Sequence, residues 1–287
     1  MSKKVEEWTV LSMLEWGTEF FENKNIPDPR HSIEWLLAET LDIKRLDLYL
    51  KFDRPLSPQE LDTLRPMVKR RAQHEPLQYI LGYTDFMNTR ISVNEQVLIP
   101  RIETEQLVEI ILEKHQSEEE LSVLDIGTGS GCIPIALKME QPNWKVSGID
   151  ISEGALSLAR KNAEHNDTDI SFSKGDILNP TSISIQDPLD LIVSNPPYVK
   201  PEEKDILEPQ VKDYEPAEAL FFNDLEKMYN SIIEFAFQNL TKNGSLYLEL
   251  HEKYSDQILA LFDEQQWSAH VENDYDKKPR FIIAQRR

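Results

Sequence analysis

The chain has 287 residues, 40% of them hydrophobic and 29% charged, as in a folded soluble protein. Its 51 acidic side chains against 31 basic ones give a formal charge of −20. That argues against a nucleic-acid binder, which needs cationic surface to neutralise phosphates. No apolar run approaches the roughly 20 residues of a membrane span.

Met1–Glu7 lacks the apolar core and cleavage site of a signal peptide. The single Cys132 cannot form an intramolecular disulfide and fits a reducing compartment. The cytoplasm is therefore expected. The length suits one medium α/β domain and a smaller module.

Residues 1–75 are predicted to form a small helical domain. Val5, Leu11, Leu14, Phe20 and Phe21 recur at helical spacing, as do Ile33, Leu36, Leu37 and Leu41. Asp28-Pro29 and Ser57-Pro58 have the form of an N-cap followed by a first-turn proline. Trp8, Trp16 and Trp35 suit a core or a partner-facing surface, and Lys69-Arg70-Arg71 suits a solvated helix face. Nothing here has catalytic spacing, and the organisation suggests a substrate-recognition module.

A connector over 76–100 follows. Phe86–Val93 is expected to form a β-hairpin turning at Asn88-Thr89, and a new helix opens around Leu98–Glu105. Arg101 and Glu103 could form an ion pair that steadies the connector or line the floor of a pocket. The remainder, 101–287, is predicted to be an α/β domain, joined through a charged link at His115–Glu120.

Leu121–Ile126 has the pattern of a buried strand and runs into Gly127-Thr128-Gly129-Ser130-Gly131. Three of the chain's nine glycines fall in these five residues. Glycine permits a tight turn and close approach of a ligand to the backbone. Such a turn alone fits NAD, FAD or S-adenosylmethionine. The leading Asp125 would repel a pyrophosphate, whereas it suits the cationic amino and sulfonium end of S-adenosylmethionine. Asp150 ends the next strand at about the 20-residue spacing of a ribose-hydroxyl acceptor, with Ile151 beside it. Asp176 follows a strand at Ile170–Ser173 and could reach an adenine amino group, with Ile177 as an apolar wall.

The strand Asp190–Val193 ends at Ser194-Asn195-Pro196-Pro197-Tyr198. Two prolines fix φ twice and remove two N–H donors, so no regular element continues through them. The Asn195 side-chain oxygen and the Pro196 carbonyl can each accept one N–H of a planar amide or amino group, which Tyr198 can cover. His251-Glu252 has no further His or Cys at metal-ligand spacing, so no metal is expected.

The Gly-rich turn, Asp150 and the Asn-Pro-Pro-Tyr tetrad resemble the class I S-adenosylmethionine-dependent methyltransferases that modify amino and amide nitrogens. With Pro76-Leu77-Gln78-Tyr79-Ile80-Leu81-Gly82, Leu98-Ile99-Pro100-Arg101-Ile102-Glu103-Thr104-Glu105 and Glu215–Leu220, the chain resembles the protein-(glutamine-N5) methyltransferases of peptide chain release factors. It departs from that family at Ile102, where Pro is usual, and after Glu249, where a Gly is usual.

The resemblance implies a Rossmann-like, mostly parallel seven-stranded sheet with an antiparallel C-terminal strand, preceded by a helical bundle and a hairpin. It implies S-adenosylmethionine as cofactor, held by Asp125, Gly127–Gly131, Asp150, Ile151, Asp176, Ile177 and Asn195. Asn195 and Pro196 would be catalytic, and Asn195–Tyr198 would bind the glutamine of a Gly-Gly-Gln segment in the release factor. A monomer without nucleic-acid or membrane contacts is expected. Two other classes remain open: an amino-methyltransferase acting on adenine or guanine, and a non-catalytic S-adenosylmethionine-binding protein.

Overall fold

Thr9 starts the first helix of the computed structural model, which describes residues 7–116 and 120–287. Val5 and residues 117–119 of the expected charged link lie outside the described residues. Two compact units emerge. One takes in the chain up to Gly82 together with Glu208–Tyr214, and the other Tyr83–Leu207 with Glu215–Arg287.

In the helical unit, α1 (Val10–Glu22), α2 (Pro29–Leu41), α3 (Pro58–Arg71) and the short α4 (Leu77–Leu81) bury Val10, Leu14, Phe21, Ile33, Leu36, Leu37 and Leu48. Thr9 and Ser57 form reciprocal capping boxes. The Ser12 N–H donates to Thr9 Oγ1 at 3.2 Å, and the Ser57 N–H donates to Glu60 Oε2 at 2.8 Å, satisfying N–H groups the helices cannot pair themselves. Asp28 occupies the N-cap position before Pro29, but its backbone is left-handed and its side chain makes no capping bond. The tryptophans lie at the rim of this core. Trp16 is 40% exposed and stacks on Phe20.

The expected solvated face at Lys69–Arg71 needs correction at Arg71, which is buried. Its guanidinium donates to Ser32 Oγ, the Glu75 and Pro27 carbonyls and Gln210 Oε1. A planar fork with several donors can be buried when each donor finds an acceptor. Burial nevertheless pulls its pKa down to about 10.

The second unit opens with the hairpin β1 (Tyr83–Phe86) and β2 (Thr89–Ser92). It begins three residues earlier than the alternation suggests, and Met87, at φ 51°, makes the turn with Asn88. Then come α5 (Ile102–Lys114), β3 (Ser122–Ile126), α6 (Cys132–Glu140), β4 (Lys145–Asp150), α7 (Glu153–His165), β5 (Ser171–Lys174) and β6 (Leu189–Ser194). After β6 come a 3₁₀ turn (Pro201–Ile206), then α8 (Pro209–Lys212), which belongs to the helical unit, α9 (Ala217–Leu220) and α10 (Leu225–Asn239). Finally, β7 (Leu240–Glu249), α11 (Ser255–Leu259), β8 (Trp267–Asn273) and β9 (Pro279–Arg286) complete the chain. The turn-prone Lys242-Asn243-Gly244 lies within β7, with Asn243 at φ 72°.

The seven strands are ordered β5-β4-β3-β6-β7-β9-β8. All pairings from β5 to β7 are parallel, and only β9 runs against its neighbours. The central strands are apolar on both faces because helices cover both. Leu124, Ile126, Ile192, Leu246 and Ile282 join Tyr229, Ile232 and Ala236 of α10 in one core. From β3 the chain proceeds outward through β4 and β5, then returns to place β6 on the other side of β3. That reversal leaves a crevice at the carboxyl ends of β3, β4 and β6, where open α/β sheets bind ligands.

Candidate active site

Register fixes what meets at the crevice. Ile126 of β3 lies opposite Ile149 of β4 and Ser194 of β6, so Gly127, Asp150 and Asn195 leave the sheet at one level. The Gly127 and Thr128 N–H groups both donate to the Ile149 carbonyl at 2.9 Å, closing the turn over β4. Gly127, Gly129 and Gly131 all have positive φ, which a side chain would strain. Asp150 completes the turn: Oδ2 accepts from the Gly129 N–H at 2.9 Å and Oδ1 from the Ser152 N–H at 2.8 Å.

A cavity of about 600 Å³ opens here, within the range of small-molecule sites. Its walls include Gly127, Thr128, Gly129, Ser130, Asp150, Ile151, Asp176, Ile177, Asn195, Pro196, Pro197 and Arg101. The sequence-derived candidates thus converge from five separate segments. Four others stand outside the walls. Gly131 is the N-cap of α6, where a Cβ would meet Ala159 at 3.1 Å and Phe172 at 3.3 Å. Asp125 is completely buried behind the turn. Tyr198, the last residue of the tetrad, is not in the wall, and its hydroxyl donates to Glu249 Oε1 at 3.2 Å. Glu103 is on α5 outside the cavity and does not pair with Arg101. Arg101 instead pairs with the buried Glu215, whose Oε2 also accepts the Ile99 N–H at 3.2 Å.

Sequence reasoning missed Thr104, Glu249, Glu215 and Asn162. Thr104 Oγ1 accepts from Asn195 Nδ2 at 3.1 Å and donates to Glu249 Oε2 at 2.7 Å. Asn162 bonds both the Ser92 backbone and the Ser130 carbonyl, tying β2 to the Gly-rich turn. Thr104 and Glu215 lay inside recognised motifs without a role, while a buried Glu at the end of an apolar strand was the available signal for Glu249.

The charged lining consists of three carboxylates, Asp150, Asp176 and Glu218, and one guanidinium, Arg101, already engaged by Glu215. Such a wall disfavours a pyrophosphate and suits a ligand with positive charge. Burial raises the pKa of Asp150, opposed by the Ser152 and Gly129 N–H groups. Asp125 is pushed up to about 7 by burial, with the Thr128 hydroxyl opposing the rise and the Asp150 charge adding to it. Ile133, Ile149, Ile177 and Leu178 supply the apolar surface that a flat ring needs. His251, which might have suggested a metal, faces Tyr198 and Tyr254 and accepts the Lys253 N–H at its Nδ1.

Comparison with known proteins gives the family. Residues 12–82 match the PrmC N-terminal domain family, and residues 102–212 match the methyltransferase small domain family. A release factor glutamine methyltransferase of Geobacter sulfurreducens is 39% identical over 263 residues, covering 91% of each chain. One from Leptospira interrogans is 36% identical over 283 residues, covering 97% of this chain and 98% of its own. The chain belongs to the release factor glutamine methyltransferase family.

Its methyl donor is S-adenosylmethionine, and the acidic, partly apolar cavity fits that molecule's cationic head and flat base. Among solved structures, a methyltransferase from Pyrococcus furiosus shares the fold at TM-score 0.50 and 20% identity, over 68% of this chain and 87% of that one.

Proposed function

We propose that this protein methylates the side-chain amide nitrogen (N5) of the glutamine in a Gly-Gly-Gln segment of peptide chain release factors. The carrying observation is the setting of Asn195: its Nδ2 is occupied by Thr104, so its Oδ1 is the end available to a ligand. Next to it in the cavity wall stands Pro196. The substrate class comes from the family, and the acceptor chemistry from these two residues.

An amide nitrogen is a poor nucleophile because its lone pair is delocalised into the carbonyl. When bound, S-adenosylmethionine supplies a methyl group already activated by a sulfonium. The protein's task is therefore positioning. Asn195 Oδ1 and the Pro196 carbonyl accept the two amide hydrogens, which aims the nitrogen and favours localisation of its lone pair as charge develops. Near-attack placement of this kind can contribute roughly 7–11 kcal/mol, and fixed dipoles add to it. Methylation acidifies the nitrogen, so no strong base is needed.

Asp150 holds the ribose hydroxyls in this reading, Asp176 and Ile177 the adenine, and Asp125 favours the cationic end of the cofactor from behind the turn. Tyr198 shapes the substrate side. The helical unit serves as the recognition module for the release factor, and the protein works in the cytoplasm as a monomer without nucleic-acid contacts. Among the described residues no helix is long and apolar enough to cross a membrane.

The test is methyl transfer from labelled S-adenosylmethionine to purified release factor, beside the same factor with its Gly-Gly-Gln glutamine replaced. Label on the first and none on the second is expected. Label on both would move the acceptor elsewhere, and label only on RNA or DNA would give the tetrad a nucleobase amine instead.

A further inference from the structure

Asn195 can act as described only if its amide faces one way. A primary amide is nearly symmetric in shape, so packing alone does not distinguish its oxygen from its nitrogen. A hydrogen-bonding neighbour must do so. In this structure that neighbour is Thr104, on the first turn of α5, and behind it stands the fully buried carboxylate of Glu249 at the end of β7.

The direction of the chain follows from the inventory of hydrogens. An ionised carboxylate accepts and cannot donate. Glu249 therefore takes the Thr104 hydroxyl hydrogen on Oε2, at 2.7 Å, and the Tyr198 hydroxyl hydrogen on Oε1, at 3.2 Å. With its only hydrogen committed, Thr104 Oγ1 presents lone pairs to Asn195 and selects the NH₂ end, at 3.1 Å. The oxygen end is then left for the substrate. A reversed amide would set NH₂ against the NH₂ of the incoming glutamine, replacing an attraction with a donor–donor clash. Glu249 itself is held from the other side of its residue, where Tyr229 Oη donates to its backbone carbonyl at 3.0 Å.

We propose that Thr104, with its hydroxyl hydrogen drawn off by Glu249, is the positioning residue that sets the orientation of the Asn195 amide, and that the same carboxylate anchors Tyr198 at the other end of the tetrad. The inference rests on the role given to Asn195 above. It assigns to two residues outside the tetrad, 145 positions apart in sequence, the task of making that tetrad an acceptor.

Thr104→Val keeps the branched shape and removes the hydroxyl. Turnover on release factor is expected to fall about 10–100-fold, the effect of losing one directional hydrogen bond at the reacting group. The KM for release factor and the calorimetric Kd for S-adenosylmethionine should stay within about twofold. Thr104→Ser restores the hydroxyl and should return kcat to within about threefold of the parent. That combination, a loss confined to kcat and rescued by serine, is not what general loosening of the site would give. Glu249→Gln, which leaves only one acceptor for two hydroxyls, should show the same kcat-selective loss and serves if Thr104→Val does not fold. Parental kcat in Thr104→Val, a parallel loss of cofactor affinity, or failure of serine to rescue would overturn the inference. Asn195→Ala is measured alongside. If it turns over normally, the reading of Asn195 itself fails; if it is dead while Thr104→Val is normal, only the orientation chain fails.

Discussion

Asp150 Oδ2 accepts the Gly129 N–H at 2.9 Å, joining the end of β4 to the glycine turn that follows β3. One carboxylate therefore shapes the turn and lines the cavity beside it. Asp150→Ala removes the acceptor of both Gly129 and Ser152, leaving two N–H groups to find new partners. The calorimetric Kd for S-adenosylmethionine is expected to rise about 10–100-fold. Asp150→Asn, which keeps one acceptor oxygen, should lie between the parent and the alanine variant. An unchanged Kd in the alanine variant would make the carboxylate irrelevant to the ligand.

Glu249 should give the reaction a pH dependence. Burial lifts its carboxyl to about 7, against the pull of the Thr104 and Tyr198 hydroxyls and Arg280 toward ionisation, while Glu103 adds to the rise. Tyr229 reaches its backbone, and Cys132 nearby stays neutral because burial pushes that thiol to about 12. Above pH 7 Glu249 only accepts, and Thr104 presents lone pairs to Asn195. Below it, Glu249 gains a proton it can donate to Thr104, and the amide loses its fixed direction. Turnover should therefore rise with pH through about 7, and Glu249→Gln should flatten that limb of the profile. The stability term has the opposite sense. A raised carboxyl favours the fold fully below its unfolded value near 4.3 and loses that contribution as pH rises through 7.

How far the sequence reveals this site depends on range. Gly127–Gly131 and Asn195–Tyr198 are contiguous, and their chemistry is local: positive φ, missing N–H groups, a strand running into a turn. Asp150 and Asp176 were legible because parallel strands end at one edge and bring their following residues together. Thr104 and Glu249 were not, since their meaning arises only where α5 lies beside the end of β7, a contact that no periodicity encodes. Arg101 shows the same limit. Glu103, two residues away, was the natural candidate for its partner, yet Glu215 holds it across 114 positions. Arg71 failed in the opposite direction, since a run of three basic residues suggests solvent while the third is buried by acceptors gathered from three other segments.

The Arg101–Glu215 pair should matter for stability. Glu215 is almost fully buried, with its side chain 1% exposed against 32% for Arg101. Burial raises its pKa, and the Arg101 charge and the Ile99 N–H oppose the rise. Arg101→Ala leaves that carboxylate without its cation. The cost is expected to be about 2 kcal/mol, below the range for fully buried pairs because Arg101 reaches solvent. Adding Glu215→Gln should recover part of the loss, because it removes the stranded charge. Urea denaturation of the two variants and the double mutant measures this, and equal stability of Arg101→Ala and the parent would show the pair to be inert.

Asp125 couples the stability of the fold to the ligand. It lies opposite Gly148 in the β3–β4 register, where a Cβ on Gly148 would stand 2.8 Å from Thr128 Oγ1. Burial, with a smaller contribution from the Asp150 charge, raises its carboxyl to about 7. The contribution of such a group to stability is full below its unfolded value near 3.9 and is lost as pH rises through 7. Asp125→Asn cannot ionise. The stability of the variant relative to the parent should therefore climb between pH 4 and 7, by at most about 1.4 kcal/mol per pH unit, and level off above. A difference independent of pH would show that Asp125 does not titrate in this range. Repeating the series in saturating S-adenosylmethionine tests its part in binding. A cation held at the turn favours the ionised carboxylate and so shrinks the pH dependence, whereas an unchanged slope makes Asp125 an acid of the fold alone.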